Sequence, residues 1–301
     1  MRVNVAGIEL RSPVIAASGT FGYGLEFEEI LAVDKIGAFV TKGLSLTPME
    51  GNKAPRIVET ASGMMNAIGL QNVGVEAFIR DKMPAIRKMR NTVCIANVFG
   101  FTIEDCIGVI QHLNDVDGIA MYELNASCPN TRHGGMVFGT DPDALAELVE
   151  RTKAVSNRPL MVKLSPNVTS IGQMARIAEG AGADAISLVN TFLALNIDVD
   201  TRKPRIANIT GGLSGPAIKP IAVRMVWEAA RTVKIPVVGL GGIVKPEDAV
   251  EFLLAGATAV EVGTASYADP RAVEKIATGL MRWCSAHEVG RVSELTGDLR
   301  L

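Results

Sequence analysis

Cysteine and histidine are scarce in this chain, and neither sign of charge is in excess. The four cysteines stand at 94, 106, 128 and 284 and the three histidines at 112, 133 and 287. None of these spacings suits a zinc finger, a redox pair or an iron–sulfur motif, which argues against a disulfide framework, a structural metal or a cluster held by this chain. Thirty Lys and Arg against 32 Asp and Glu give a formal charge of -2. Such a balance offers no global field to nucleic acid or to an anionic membrane, so an anionic substrate must be met by local groups. Long apolar runs are missing too. None approaches the ~18 residues that span a bilayer, and Glu9 and Arg11 fall where a signal peptide would need its apolar core. The expectation is a cytoplasmic protein with no membrane and no nucleic-acid partner. Repeats, low-complexity stretches and linkers are also absent.

What is present points one way. Aromatics make up only 5% of the residues while 48% are hydrophobic, and 30 glycines are spread through the 301 positions. Aliphatic strands joined by glycine-rich turns, in one α/β domain over residues 1–301, fit that composition. Short apolar runs at 14–17, 38–41, 93–96, 118–124, 160–164, 185–189, 237–240 and 259–262 read as strands. Amphipathic stretches at 26–32, 75–89, 103–113, 142–155, 171–179, 218–233, 246–254 and near 271–284 read as the helices between them. Eight alternating units predict a (β/α)8 TIM barrel. Residues 3–5 and 8–10 around Ala6-Gly7 predict a small hairpin plugging its bottom. Two glycine-rich excursions, 43–72 and 190–215, are too long for plain turns and have the form of substrate loops or lids.

The strand ends carry the chemistry. In order they present Ser18-Gly19, Lys42-Gly43, Asn97, Asn125 with Cys128, Lys163, Asn190-Thr191, Gly241-Gly242 and Gly263-Thr264. Any one of these is ordinary turn chemistry, but in a barrel all eight converge on one mouth. A lysine ending an apolar strand must find an acceptor or an anion, because a dry unpaired ammonium is costly. The small residues at 239–242 and 263–264 let backbone N–H groups approach a phosphate, in a pattern that is neither a Walker loop nor a dinucleotide fingerprint. Cys128 sits in the loop after the fourth strand, stiffened by Pro129. From its setting alone it can be a nucleophile, a metal ligand, a redox thiol, a general base or a packed hydrophobe.

Five segments taken together resemble dihydroorotate dehydrogenase. They are residues 17–22 (ASGTFG), 64–72 (MMNAIGLQN), 125–130 (NASCPN) followed by His133-Gly134-Gly135, 162–167 (VKLSPN) and 208–220 (NITGGLSGPAIKP). Residues 66–72 and 133–135 look more like the class 1B, NAD-linked catalytic subunit than the fumarate-linked class 1A homodimer. The class 1A enzyme, or another pyrimidine-directed flavin barrel reductase, is the alternative. The resemblance implies FMN-dependent oxidation of (S)-dihydroorotate to orotate in pyrimidine synthesis. It implies FMN contacts from Ser18, Lys42, Gly43, Asn97, Asn125, Lys163, Val189, Gly215, Gly241, Gly242, Gly263 and Thr264. Substrate would meet Lys42, Asn66, Ala67, Ile68, Gly69, Leu70, Asn125, Asn190 and Thr191, with Cys128 as the base. Because this chain holds no second nucleotide fold and no cluster motif, the resemblance further implies a partner subunit carrying FAD and an iron–sulfur cluster. A homodimer of this chain would then form the centre of a heterotetramer.

Overall fold

Eight short strands, none longer than six residues, are buried along almost their whole length. They are β1 (Val14–Ala16), β2 (Ala38–Val40), β3 (Val93–Val98), β4 (Met121–Asn125), β5 (Leu160–Lys163), β6 (Ala185–Leu188), β7 (Val237–Leu240) and β8 (Ala259–Val262). Their aliphatic runs show no polar alternation, as expected of parallel strands covered on both faces. In the chain's structure, a computed structural model, they close into one barrel in sequence order, every neighbouring pair parallel. The description covers all residues except Arg90, Cys128, 131–135 and Leu301.

Helices Ile103–Asn114, Pro142–Val155, Ile171–Gly180, Lys219–Ala230, Pro246–Leu254 and Ala272–Ala286 cover the outside. Several begin where the sequence supplies a cap. Thr102 and Asp105 form a reciprocal capping box, and the Asp141 carboxylate accepts from the Ala144 N–H at 2.8 Å ahead of Pro142. Among the described residues no helix is long and apolar enough to cross a membrane. The predicted hairpin forms, with Val3–Val5 antiparallel to Ile8–Leu10 and Val3, Val5 and Leu10 buried.

Three expectations need correction. Residues 26–32 form no helix, only 3-10 turns at Leu25–Phe27 and Val33–Lys35. Gly22 and Gly24 adopt positive φ just before them, and a segment this short cannot repay helix nucleation. The stretch 75–89 is helical but broken, passing from Val75–Ala77 through a π turn at Phe78–Lys82 to Met83–Ile86. Pro84 has no N–H to give to the preceding turn, and the ladder widens there. The two excursions are not loops throughout. Ile57–Thr60, Gly63–Asn66, Thr210–Ser214 and Phe192–Leu195 pair as an antiparallel sheet in that order. Each excursion thereby supports the other over the barrel mouth.

Candidate active site

A cavity of about 1040 Å³ opens at the carboxyl ends of the barrel strands. The barrel brings Ser18, Lys42, Gly43, Asn97, Asn125, Lys163, Val189, Gly241, Gly242, Gly263 and Thr264 to its wall, from all eight strand ends. The antiparallel sheet and its flanks add Asn66, Ala67, Ile68, Gly69 and Leu70 from one excursion and Asn190 and Thr191 from the other. Of the expected site residues, two stand apart. Gly215 is not on the wall itself, although its neighbour Ser214 is. Cys128 lies outside the described residues, as do His133, Gly134 and Gly135.

Backbone shape fixes the glycine end of the cavity. Gly242 has φ +80°, and a Cβ there would stand 2.7 Å from the Gly215 carbonyl oxygen. Any side chain would be both strained and blocked. Gly215 is therefore part of the site by packing, holding the turn that Gly242 completes. Beside it the Thr264 hydroxyl donates to the Ser214 hydroxyl at 2.8 Å. At the opposite end the 66–72 segment is pinned by Asn52, whose N–H donates to Ile68 O and whose carboxamide donates to Ala67 O, both at 3.0 Å. Gly69 has φ +74°, and its missing side chain leaves the space Asn52 occupies.

The carboxamides are held by one another. Asn190 Nδ2 donates to Asn125 Oδ1 at 3.2 Å, and the Ser127 N–H donates to the same oxygen at 3.2 Å. The Asn190 Oδ1 in turn accepts from the Thr191 N–H at 2.8 Å. The loop that leads to Cys128 is thus anchored to Asn125. The Ser127 hydroxyl is buried and has no partner among the described residues.

Lys42 is half-buried and finds no acceptor among the described residues. Burial, with a smaller contribution from the like charge of Arg56, pushes its pKa down. Arg56 spends its guanidinium on neutral acceptors, Gln71 Oε1 at 2.6 Å and Asn52 O at 3.2 Å. The wall there carries the Lys42 ammonium, with the like charge of Arg56 near it and no carboxylate partner for Lys42 among the described residues, which favours an anionic ligand.

Lys163 has a different setting. Its Nζ lies 3.4 Å from Glu123 Oε1 and 3.2 Å from Glu261 Oε2, and all three side chains are buried. Burial works against the ammonium, but the charges of Glu123 and Glu261 outweigh it and hold the Lys163 pKa above the ordinary range. Glu123 also accepts from Asn97 Nδ2 at 2.7 Å and from the Ser187 hydroxyl at 2.9 Å. Asn97, assigned to the wall from its strand-end position, is therefore also a support beneath it. Sequence reading missed Glu123, Glu261, Ser187, Asn52 and Arg56. The signal for the two glutamates was available, because a carboxylate inside an otherwise apolar buried strand needs a partner.

Comparison with known proteins agrees with this architecture. A family model described as dihydroorotate dehydrogenase matches residues 1–283. A Pelobacter propionicus protein named dihydroorotate dehydrogenase B (NAD(+)), catalytic subunit, is 55% identical over 299 residues, covering 99% of this chain and 98% of its own. A Trichlorobacter lovleyi protein of the same name is 54% identical with the same coverage. A Solibacter usitatus protein, provisionally named dihydroorotate dehydrogenase A (fumarate), is 55% identical over 300 residues, 100% of this chain and 98% of its own. The crystal structure of an Eimeria tenella DHODH in complex with ferulenol superposes with a TM-score of 0.82 at 21% identity, covering 99% of this chain and 88% of that one, which supports the barrel fold. With a family model spanning the barrel and full-length relatives above half identity, this chain belongs to the dihydroorotate dehydrogenase family.

Proposed function

We propose that this chain is the catalytic subunit of an NAD-linked dihydroorotate dehydrogenase, a single FMN-binding barrel domain over residues 1–301 that oxidises (S)-dihydroorotate to orotate. The observation that carries the reading is the cavity itself. It joins a glycine turn at one end to a cation with no acceptor among the described residues and three carboxamides at the other, over a buried lysine. The name shared by the Pelobacter and Trichlorobacter relatives supports the NAD-linked form. The Solibacter relative keeps the fumarate-linked form as the second reading.

The residues present fit a flavin mononucleotide. The cavity has the volume of a cofactor site. The positive-φ turn at Gly241-Gly242 with the Ser214 and Thr264 hydroxyls would hold the phosphate, and Lys163 would face the ring from the floor. Glu261, whose Oε1 has no donor among the described residues, also lies on that floor. FMN when bound supplies the acceptor for hydride. This chain's residues supply the rest. Lys42, with Arg56 behind it, pairs with the substrate carboxylate. Asn66, Asn125 and Asn190 match donors and acceptors along the amide edge of the ring. Cys128, three residues on from Asn125 in the sequence, takes as thiolate the proton from the carbon beside the carbonyl.

Electrons must then leave. The finer part of the proposal is a partner subunit carrying FAD and an iron–sulfur cluster that relays them to NAD, on a homodimer of this chain. The dimer contact has a physical candidate. Leu193, Leu195, Ile197, Val199 and Ile209 are all more than half exposed and gather on one excursion, Val199 at 79%. An exposed aliphatic cluster of this kind marks an interface, and its occupant is a second copy of this chain. Leu193→Asp combined with Val199→Asp is expected to give a monomer in sedimentation velocity while the wild type sediments as a dimer. A monomeric wild type would remove this contact from the proposal.

The deciding experiment is anaerobic mixing of the purified yellow chain with dihydroorotate. Bleaching of bound FMN is expected, with NAD-linked turnover appearing only when the partner is added. Full turnover with fumarate by the lone chain would move the assignment to the second reading. A flavin that stays oxidised would overturn dihydroorotate as substrate.

A further inference from the structure

The cavity floor holds more carboxylate than its cation can neutralise. Lys163 stands between Glu123 and Glu261, at 3.4 and 3.2 Å, with all three side chains buried. Fully ionised, the trio would keep one net negative charge out of water, which is strongly unfavourable. The two carboxylates are not equivalent. Glu123 has three donors, from Asn97, Ser187 and Lys163. Glu261 has one charged donor, Lys163, its Oε1 finds no donor among the described residues, and it meets the Glu123 carboxyl in a hydrogen bond that requires one of the two to carry a proton. Glu261 is also the one that lines the cavity. Strands β1, β2, β3, β6 and β7 bring no Asp, Glu, Lys, Arg or His to this layer. Their one titratable group is the Cys94 thiol, which burial pushes up to about 12. Apart from Lys163 and Glu261, Lys42 is the one charged residue on the described wall.

We propose, on the reading that FMN occupies this cavity, that Glu261 is a positioning residue held as a neutral carboxylic acid. It shares one proton with Glu123 beneath Lys163 and keeps the floor electrically neutral under the flavin ring. A neutral floor leaves the ammonium of Lys163 free to favour negative charge arriving above it, whereas an ionised Glu261 would cancel that field. Burial first, and then the charge of Glu123, push the Glu261 pKa well above the usual carboxylate range, the direction this requires. As pH rises through that raised value, the floor gains a negative charge and electron acceptance becomes harder.

The test compares wild type with Glu261→Gln and Glu123→Gln in the full chain, by infrared spectroscopy, FMN titration and potentiometry. In wild type a protonated-carboxyl stretch is expected at neutral pH, and it should vanish in Glu261→Gln. It should vanish in Glu123→Gln as well, because loss of one carboxylate lets Glu261 ionise to pair with Lys163. The FMN dissociation constant of Glu261→Gln should change by less than about threefold, the scale of exchanging one neutral hydrogen-bonding group for another. The pH dependence of the flavin potential should flatten in that variant. Absence of the stretch in wild type would overturn the proposal, as would its persistence in Glu123→Gln. So would a change of ~10-fold or more in the FMN dissociation constant, the mark of removing a buried charge. Infrared titration of the flavin-free chain reads the same proton, so failure of FMN to bind would count against the cofactor reading and leave the acid tested on its own.

Discussion

Cys128→Ala is expected to give a yellow protein that still takes up dihydroorotate but reduces its flavin ~10²–10⁴-fold more slowly, the usual contribution of a positioned general base. Hydride leaves one carbon and a proton leaves its neighbour, so removing the base slows flavin reduction even when every cofactor contact survives. Binding should be spared because the carboxylate and amide partners of the substrate are other residues, Lys42 and the carboxamides of Asn66, Asn125 and Asn190, all on the cavity wall. Rapid-mixing absorbance at the flavin band separates the two effects: its amplitude should hold and its rate should fall. The rate should also rise with pH, since the thiolate is the active form. Cys128→Ser should be slow throughout, an alcohol being a far weaker acid than a thiol. A Cys128→Ala enzyme that bleaches at the wild-type rate would remove this residue from the mechanism.

The barrel was legible because its strands are short, aliphatic and buried on both faces, so that each appears as an apolar run bounded by glycine or polar residues. Strand ends were legible for the same reason: where the run stops, the first polar residue faces the mouth. The antiparallel sheet over the mouth was not. Ile57–Thr60 and Phe192–Leu195 alternate between partly buried and exposed positions, and Thr210–Ser214 contains two adjacent glycines. Such strands gain their stability from partners distant in sequence, and their own residues read as loop. The pairing of Gly212 with Asn66 across 146 positions illustrates why no local signal could show it. Glu123 and Glu261 are the opposite case. Each sits inside a strand among apolar neighbours, and a charge there demands a partner, but only closure of the barrel shows that both meet the same lysine.

That shared lysine makes Lys163→Met the substitution with the largest expected effect on stability. Methionine fits the volume but leaves the Glu123 carboxylate buried with only Asn97 and Ser187 as donors, and breaking a buried pair from one side typically costs ~3–5 kcal/mol. The pH dependence identifies the cause. Burial, the largest influence, acts to raise the Glu123 pKa, and the charge of Lys163 together with hydrogen bonds from Glu261, Asn97 and Ser187 holds it below its usual value. The stability this gives Glu123 is present above the unfolded carboxylate value of ~4.3 and is lost as pH falls through the depressed folded value. The Lys163 pKa is raised, so its own contribution is present below the unfolded value of ~10.4 and is lost as pH rises through the folded one. The gap between wild type and Lys163→Met should therefore be widest between these limits and shrink as pH falls below ~4.3 through the depressed Glu123 value. Denaturant unfolding at pH ~3 and pH 7 measures it, and an equal gap at both would mean that lost packing, not charge, is the cause. Adding Glu123→Gln to Lys163→Met should restore most of the stability at pH 7, because the buried charge goes with its partner. It should not restore FMN affinity, since the cation beneath the ring is still missing. Recovery of stability without recovery of flavin would show that Lys163 serves the fold through Glu123 and the cofactor through its own charge.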